Sequence, residues 1–285
     1  ASAAATTTGV PPTGSSPHPR DIGRGSQWPG THQRRPPEPG AQNPDQARHD
    51  EGPHDQGVQQ QADAHRRTDL PDHGQSAWTE QFRYLGMAEA VAEEIDLRLG
   101  SAAQLVLVGH SMGGKVAMLT ALHRPELASG LAVIDIAPGH SDQVETFTPL
   151  VAAMRGLDLS TLDSRADADA RLRASIPDDE VRLFLMQNLR RRHGWHWQPN
   201  LDLLGDSLDT IGGWPDPGTA AYSGPVLWLT GERSAYVRAE HEAEMARLFS
   251  DIKRVVVPGA GHWVHADDPD ATVAALFELD ARTHR

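Results

Sequence analysis

The sequence predicts an α/β fold in which helices cover a mostly parallel β-sheet. From Asp69 onward, short apolar runs alternate with amphipathic stretches along the chain. This order is typical of strand–helix–strand units. The runs are apolar throughout, as expected of strands that are buried on both faces of a parallel sheet.

The first helix and strand are predicted over 85–99 and 104–109. Met87, Val91 and Ile95 recur at helical spacing on one face, and Gly100 provides a residue that can end the helix. The run QLVLVG that follows is short, apolar and rich in β-branched residues, which favours a buried strand.

The remaining elements repeat this alternation. A helix over 113–123 ends before Pro125, and LAVIDIA over 131–137 is a second strand that Pro138 ends. PVLWLTG at 225–231 and KRVVVPG at 253–259 are the third and fourth strands, with a helix over 237–249 between them. The last helix begins at Asp268–Pro269, since proline is tolerated in the first helical turn.

An insert at about 141–215 interrupts the alternation, with several amphipathic helical stretches and no clear strand. We expect it to lie over the strand ends as a helical cap. Its apolar side chains either line an acyl pocket or form the cap's own core; they are Phe184, Leu185, Met186, Leu189, Trp195 and Trp197. The run Arg190–Arg192 either binds a phosphate or carboxylate or is a solvated helix face.

The N-terminal part differs from the rest in composition. Residues 1–65 contain four members of the Val, Ile, Leu, Met, Phe, Trp, Tyr set: Val10, Ile22, Trp28 and Val58. So few apolar side chains cannot offset the entropy lost on ordering the segment. We therefore expect residues 1–67 to be disordered or irregular, without a regular strand, and residues 68–285 to form the folded domain.

Composition also excludes several kinds of protein. The net charge of −13 argues against a nucleic acid or an anionic membrane as the main partner, since both require a basic surface. The chain contains no cysteine, so disulfides, thiolate metal sites and a cysteine nucleophile are excluded. No secretory signal is recognised, and a cytoplasmic location is expected. The oligomeric state is not predicted.

The motif GHSMGG at 109–114 lies between a predicted strand and a predicted helix. G-x-S-x-G in that context projects a serine above the sheet from a strained turn, which makes Ser111 a candidate nucleophile. The N–H of Met112, at the helix start, is a candidate oxyanion donor. A tight glycine turn with an incidental serine is the alternative.

A serine hydroxyl requires a base, which should come late in the chain. His262 follows a strand and a glycine-rich turn, and is the candidate; His265, His110 and His73 are interpreted as structural. Two residues compete for the acid that orients the base. Asp135 ends the apolar strand AVIDIA, where a carboxylate requires a partner, and Glu232 follows the third strand.

Several segments together resemble the α/β-hydrolase family, and within it the small bacterial esterases of the YbfF type. They are DLPDHGQSAW (69–78), GHSMGG, VIDIAP, NLRRRHGWHW (188–197) and GAGHWVHADDP. The resemblance covers about three quarters of the chain. It implies that Asp135 is the acid and that Glu232 is a solvated turn residue. It also implies that a polar G-x-x-S-x-Y-V turn, here Gly231–Val237, replaces the acid after the third strand, and that Asp69 and His73 brace loops.

The chain also departs from this family. Members begin with further strands and a segment like VLLLHGLFG, whose loop supplies the second oxyanion N–H, and residues 1–65 contain nothing similar. Without them the QLVLVG strand would be an exposed edge, which favours aggregation. The chain has two lysines, Lys115 and Lys253, among 26 basic residues, as expected of a GC-rich gene. The N-terminal composition therefore fits a reading-frame error; a natural extension is the alternative.

The sequence thus predicts a serine hydrolase that cleaves carboxylic esters or thioesters of small molecules through an acyl-enzyme. The residues are Ser111, His262 and Asp135, with the Met112 N–H, and no metal or nucleotide is required. The alternative is a catalytically impaired remnant or a binding protein on this fold. Haloperoxidase-like, C–C hydrolase and lyase chemistry use the same residue types and stay open.

Overall fold

The computed structural model describes residues 4–8, 65–100 and 102–284, which belong to one compact unit. Its main sheet has six strands in the order β2-β1-β3-β4-β7-β8. The strands are β1 (Ala4–Thr8), β2 (His65–Asp69), β3 (Leu105–His110), β4 (Ala128–Ile134), β7 (Tyr222–Gly231) and β8 (Phe249–Val257). β3, β4, β7 and β8 run parallel, whereas β1 pairs antiparallel with both β2 and β3. The predicted α/β fold with a mostly parallel sheet is confirmed.

Helices cover both faces of this sheet. They are α1 (Tyr84–Leu99), α2 (Met112–His123), α8 (Glu242–Leu248), α9 (Val264–Asp267) and α10 (Pro269–Thr283). Leu107 packs in the same core as α1 and α2, whereas its neighbours Val106 and Val108 pack in the core that includes α10. Successive side chains of a strand point to opposite faces, so one buried run contributes to both cores.

Two expectations about the N-terminal segment are wrong for its described parts. Residues 4–8 form a strand, and 65–67 belong to another. As a result β3 has a neighbour on each side and is not the edge of the sheet. Strand pairing needs only backbone donors and acceptors, and threonine favours it, so a short AATTT segment can pair without large apolar side chains. The rest of 1–64 lies outside the described residues.

The insert forms a cap with its own apolar core. Its helices are α3 (Thr148–Arg155), α4 (Arg165–Leu172), α5 (Asp179–Met186), α6 (Leu201–Asp206) and α7 (Leu208–Gly212). The core contains Met154, Leu172, Leu185, Leu189 and Trp197, among others. The expectation that the insert contains no strand was wrong, because β5 (Leu189–Arg191) and β6 (Trp195–Trp197) form an antiparallel hairpin.

The hairpin also corrects the interpretation of the arginine run. Arg190 and Arg191 lie on β5, not on a helix face, and the Arg191 guanidinium lies 5.2 Å from the centre of the Trp195 ring. A turn with His193 and Gly194 at positive φ, 59° and 115°, connects the two strands. Three-residue windows this short carry too little periodicity to distinguish a hairpin from a helix.

The remaining boundaries shift by a few residues. α8 begins at Glu242, and a 3₁₀ turn, Ala239–His241, precedes it where a helix from 237 was expected. α10 begins at Pro269 as predicted, and the Asp268 carboxylate accepts the Ala271 N–H at 2.9 Å. Within the described part of the chain, none of the helices combines the length and apolar character that crossing a membrane requires.

Candidate active site

The turn after β3 holds Ser111 in a backbone conformation that few residues adopt. Ser111 has φ 53° and ψ −123°, and its N–H donates to the carbonyl of Ile134 on β4 at 3.0 Å. A Cβ on Gly109 would lie 2.2 Å from the carbonyl oxygen of Gly113, so only glycine allows β3 and α2 to approach this closely. A strained residue that its surroundings hold in place is typical of functional sites.

His262 reaches this serine from the loop after β8. Its Nε2 lies 3.1 Å from Ser111 Oγ, and its Nδ1 lies 2.7 Å from Asp135 Oδ2. With the proton on Nδ1, the imidazole donates to the carboxylate and Nε2 is free to accept from the serine hydroxyl. The structure therefore brings Ser111, His262 and Asp135 into one hydrogen-bonded chain.

Asp135 follows β4 and is fully buried. It adopts φ 51°, and its N–H donates to the carbonyl of Leu229 on β7 at 2.8 Å. Its Oδ1 accepts the Gly231 N–H at 3.2 Å, and its Oδ2 accepts the Ser234 hydroxyl as well as His262. These donors compensate the cost of burying a carboxylate.

Glu232, the other candidate acid, lies elsewhere. Its side chain is exposed, and Oε2 accepts the Gly259 N–H at 2.7 Å. That bond connects the turn after β7 to the turn after β8. The structure thus places Asp135, and not Glu232, against His262.

Met112 is the first residue of α2, directly after Ser111. The first N–H groups of a helix have no acceptor within the helix and carry its partial positive charge. Gly114 and Lys115 donate their N–H groups back to the Ser111 carbonyl, at 2.8 and 3.2 Å. The Met112 N–H thus occupies the position from which a helix start stabilises an anion.

The other histidines near Ser111 contact backbone carbonyls or one another. His110 Nε2 donates to the His262 carbonyl at 2.8 Å, and the His265 ring lies 4.9 Å from the His110 ring. Burial lowers the pKa of His110 to about 3 and also lowers the pKa of His265. His73 is buried, its Nδ1 donates to the Pro71 carbonyl at 3.0 Å, and burial lowers its pKa.

The Asp69–Gly74 turn braces this side of the site as expected. The Asp69 carboxylate accepts the Gln75 N–H at 2.9 Å, and a Cβ on Gly74 would collide with it at 2.0 Å. The Asp72 carboxylate accepts from the Asn200 amide at 3.1 Å, which joins the turn to the cap.

Sequence reasoning missed the contacts of the turn after β7. Ser234 donates to Asp135, and the Tyr236 ring stacks on the His262 ring with centroids 3.8 Å apart and planes inclined by 19°. Burial is the main reason why the pKa of Tyr236 rises to about 12. The G-x-x-S-x-Y-V pattern was the available signal, although it does not reveal which residues these side chains contact.

An apolar cavity of about 100 Å³ opens beside Ser111 and Met112. Most of its wall comes from the cap, including Phe147, Leu150, Met154, Leu185, Leu208 and Ile211, and His73 contributes to it as well. Of the residues expected to line an acyl pocket, Leu185 lines this cavity and also belongs to the cap core. Met186, Leu189 and Trp197 belong to the cap core, and Trp195 packs against it. Phe184 packs on Trp263 with ring centroids 4.4 Å apart.

A buried lysine connects the cap to the nucleophile helix. Lys115 Nζ donates to the carbonyls of Gly212 and Gly213, at 2.8 and 2.6 Å, and more weakly to that of Ile211. Burial lowers the pKa of Lys115 to about 7. Lys115 on α2 therefore holds the end of α7, which forms part of the cavity wall.

A larger, polar cavity of about 460 Å³ shares His73, Asn188 and Pro199 with the apolar one. Arg67 and Arg190 both line it. Arg190, from the arginine run, thus lines this cavity.

Comparisons with known proteins agree with this architecture. Residues 54–276 match a model of the alpha/beta hydrolase family. The mouse sn-1-specific diacylglycerol lipase ABHD11 is 37% identical over 215 residues, which is 73% of this chain and 68% of the mouse protein. The Escherichia coli esterase YbfF is 31% identical over 211 residues, 74% of this chain and 80% of that protein.

A solved structure shows the same relationship. A marine microorganism esterase superposes with a TM-score of 0.71 at 30% identity, and the match covers 75% of this chain and 83% of the esterase. The sequence match and the shared fold agree with the resemblance that the motifs indicated. The chain belongs to the α/β-hydrolase family.

Proposed function

We propose that this protein is a serine hydrolase that cleaves carboxylic esters or thioesters through an acyl-enzyme intermediate. The observation that carries the proposal is the hydrogen-bonded chain from Ser111 Oγ through His262 to Asp135. Serine, a neutral imidazole and a buried carboxylate in this order form the arrangement that activates a hydroxyl for acyl transfer. The esterase and lipase names of its relatives support the same class of reaction.

In the first half of the reaction Ser111 Oγ attacks the acyl carbon while His262 Nε2 takes the hydroxyl proton. The tetrahedral intermediate collapses, the bond to the leaving oxygen or sulfur breaks, and the imidazolium returns the proton to that atom. A water molecule then attacks the acyl-serine with His262 again as the base. The acid leaves, and Ser111 regains its proton.

Asp135 holds the imidazole in the tautomer that this sequence of steps needs and stabilises its charged form. Its burial and the donors from Gly231 and Ser234 fix the carboxylate in one orientation. Glu232 is engaged with Gly259 and exposed, so it has no part in this proposal. The Met112 N–H donates to the oxyanion of the tetrahedral intermediate.

The size of the apolar cavity supports short acyl groups. A closed apolar cavity of about 150 Å³ holds a six-carbon ring. By the same scale the 100 Å³ beside Ser111 fits an acyl chain of roughly four carbons. We therefore expect acetyl to butyryl esters to react faster than long-chain esters.

A fluorophosphonate tests the nucleophile directly, because it modifies a serine only where a base and an oxyanion site activate the hydroxyl. Intact-protein mass should show one adduct, and peptide mapping should place it on Ser111. Ser111→Ala is the matched control and should stay unlabelled. Labelling at another serine, or equal labelling of the control, would falsify the assignment.

Turnover of nitrophenyl esters from acetate to palmitate separates this proposal from the alternative of an impaired hydrolase or binding protein. Hydrolysis that depends on Ser111 supports the enzyme and gives the chain-length preference. Labelling without turnover would support the impaired protein, in which a missing second oxyanion donor costs on the order of 10²–10³ in rate.

A further inference from the structure

The imidazole of His262 contacts several aromatic rings. On one side Tyr236 stacks on it, with centroids 3.8 Å apart and planes inclined by 19°. The His110 ring lies 4.7 Å away, tilted by 42°, and the Trp263 ring lies 5.6 Å away, inclined by 64°. Tyr236 is therefore the ring that stacks flat on the imidazole.

The backbone fixes Tyr236 in this position. The tyrosine follows the end of β7, and its N–H donates to Ser234 Oγ at 3.3 Å. The same hydroxyl donates to Asp135. One short turn thus contacts both the carboxylate and the imidazole. Tyr236 also lines a second, smaller cavity of about 30 Å³ beside Ser111.

The titratable groups around His262 include two carboxylates and two histidines. Asp135 faces Nδ1, and Asp267 lies beyond, where its carboxylate accepts the Gly261 N–H. Burial lowers the pKa values of His110, to about 3, and of His265. At neutral pH both stay uncharged, so neither repels a proton on His262.

The Tyr236 phenol is also uncharged in the working range, since its pKa rises to about 12. The face of a neutral aromatic ring carries partial negative charge and attracts a cation. A flat stack at 3.8 Å presents that face to the imidazole. The attraction is larger for the imidazolium, which forms in the transition state, than for the neutral ring.

We propose that Tyr236 is a positioning residue that holds the His262 imidazole in place and stabilises its protonated form through the face of the phenol ring. This inference rests on the proposed function, because it assigns a role within the reaction of Ser111 and His262.

The test compares variants that differ in the charge on the ring face. Tyr236→Phe keeps the face and serves as the reference. Pentafluorophenylalanine at position 236 has nearly the same shape with the charge on its face reversed, and Tyr236→Leu has no ring. For each, kcat and kcat/KM are measured against pH with a short-chain ester.

We expect both altered variants to move the acid limb of the kcat/KM profile downward by about half a pH unit or more relative to the Phe reference. At the plateau kcat should fall roughly fivefold while KM changes little, because the stabilised species is the protonated imidazole. Glu232→Gln, on the same turn but facing solvent, should keep both the limb and the plateau.

An acid limb at the same pH in the Phe and pentafluoro proteins would overturn the inference. The comparison does not depend on the Leu protein, since the two aromatic variants match in shape. Labelling of Ser111 in the unaltered protein keeps the two proposals apart. Labelling with an unmoved acid limb overturns the role of Tyr236 alone, and no labelling overturns the proposed function.

Discussion

Two tight turns meet at the carboxyl edge of the sheet, residues 109–114 after β3 and residues 231–237 after β7. In both, a glycine packs against backbone so closely that a Cβ would overlap it, at 2.2 Å for Gly109 and 2.1 Å for Gly231. The first turn projects its own Ser111 toward His262. The second turn instead contacts side chains from other loops. Ser234 donates a hydrogen bond to Asp135, and the Tyr236 ring stacks on His262.

The two turns differ in how far along the sequence their contacts reach. In the first turn the close contact that requires glycine at position 109 comes from Gly113, four residues away, so the motif itself predicts the tight turn. The second turn acts on a carboxylate 99 positions away in the sequence, and no local pattern encodes that contact. Physics alone therefore left Asp135 and Glu232 as alternatives, whereas the fold places one of them beside the imidazole.

The largest expected effect separates these two carboxylates. Asp135→Asn removes the group that orients His262, and losing it in comparable enzymes lowers kcat by about 10⁴. Glu232→Gln changes an exposed side chain and should lower kcat less than about threefold. Steady-state hydrolysis of a short-chain ester measures both. A larger loss in the glutamate variant would transfer the orienting role to the second turn.

The fold was predictable wherever apolar runs and glycines decide the structure. β3, β4 and β7 follow from their buried apolar runs, and Gly109 and Ser111 follow from their motif. β8 follows from its run of valines, although it lies at the edge of the sheet and Val256 is exposed. The β5–β6 hairpin was not predictable, since Leu189 and Trp197 read equally well as a helical apolar face. β1 was not predictable either, because AATTT has no large apolar residue and depends on backbone pairing with β3.

The second prediction tests whether the two turns have the same steric requirement. Gly109→Ala and Gly231→Ala each place a Cβ against a backbone oxygen that cannot rotate away. Each should therefore lower the free energy of unfolding by about 3 kcal/mol or more. Chemical denaturation measures this loss. Gly259→Ala is the control for a site with open space around the Cβ, although its positive φ of 69° adds some strain.

A loss in one glycine variant only would show that the two turns are not equivalent. In particular, a stable Gly231→Ala protein would mean that the loop carrying His262 can move aside, since the clash is with the Gly261 carbonyl. Its kcat should then fall, because the imidazole would no longer be aligned.

The third prediction is that His110, in the first turn, makes the folded protein less stable at acid pH. The pKa of His110 is about 3 in the folded protein, against 6.5 as the ordinary value. The unfolded chain therefore binds the proton first as pH falls, and the folded state loses stability between pH 6.5 and 3. From pH 7 to pH 5 the loss from this group is about 2 kcal/mol.

His110→Gln removes the titrating group and keeps a donor for the His262 carbonyl. Its unfolding free energy should fall less than that of the unaltered protein over the same pH range. Parallel curves for the histidine variant and the unaltered protein would contradict a buried, neutral His110.

The smallest expected effect concerns the lysine four residues beyond Ser111. Lys115 has a pKa of about 7 in the folded protein, against 10.5 as its ordinary value. The folded state releases this proton at a lower pH than the unfolded chain does. The free energy of unfolding therefore rises with pH between about 7 and 10.5, and falls again as the pH is lowered through the same range. Between pH 7 and pH 8 the gain in the free energy of unfolding is about 1 kcal/mol.

Lys115→Met lacks the titrating group, so denaturation curves at the two pH values should show the gain in the unaltered protein only. The Met protein should also be less stable overall, because the Gly213 carbonyl loses its donor while Ile211 and Gly212 keep bonds from Tyr84 and Ser141. An equal gain in both proteins would mean that the ammonium is solvated and does not hold α7.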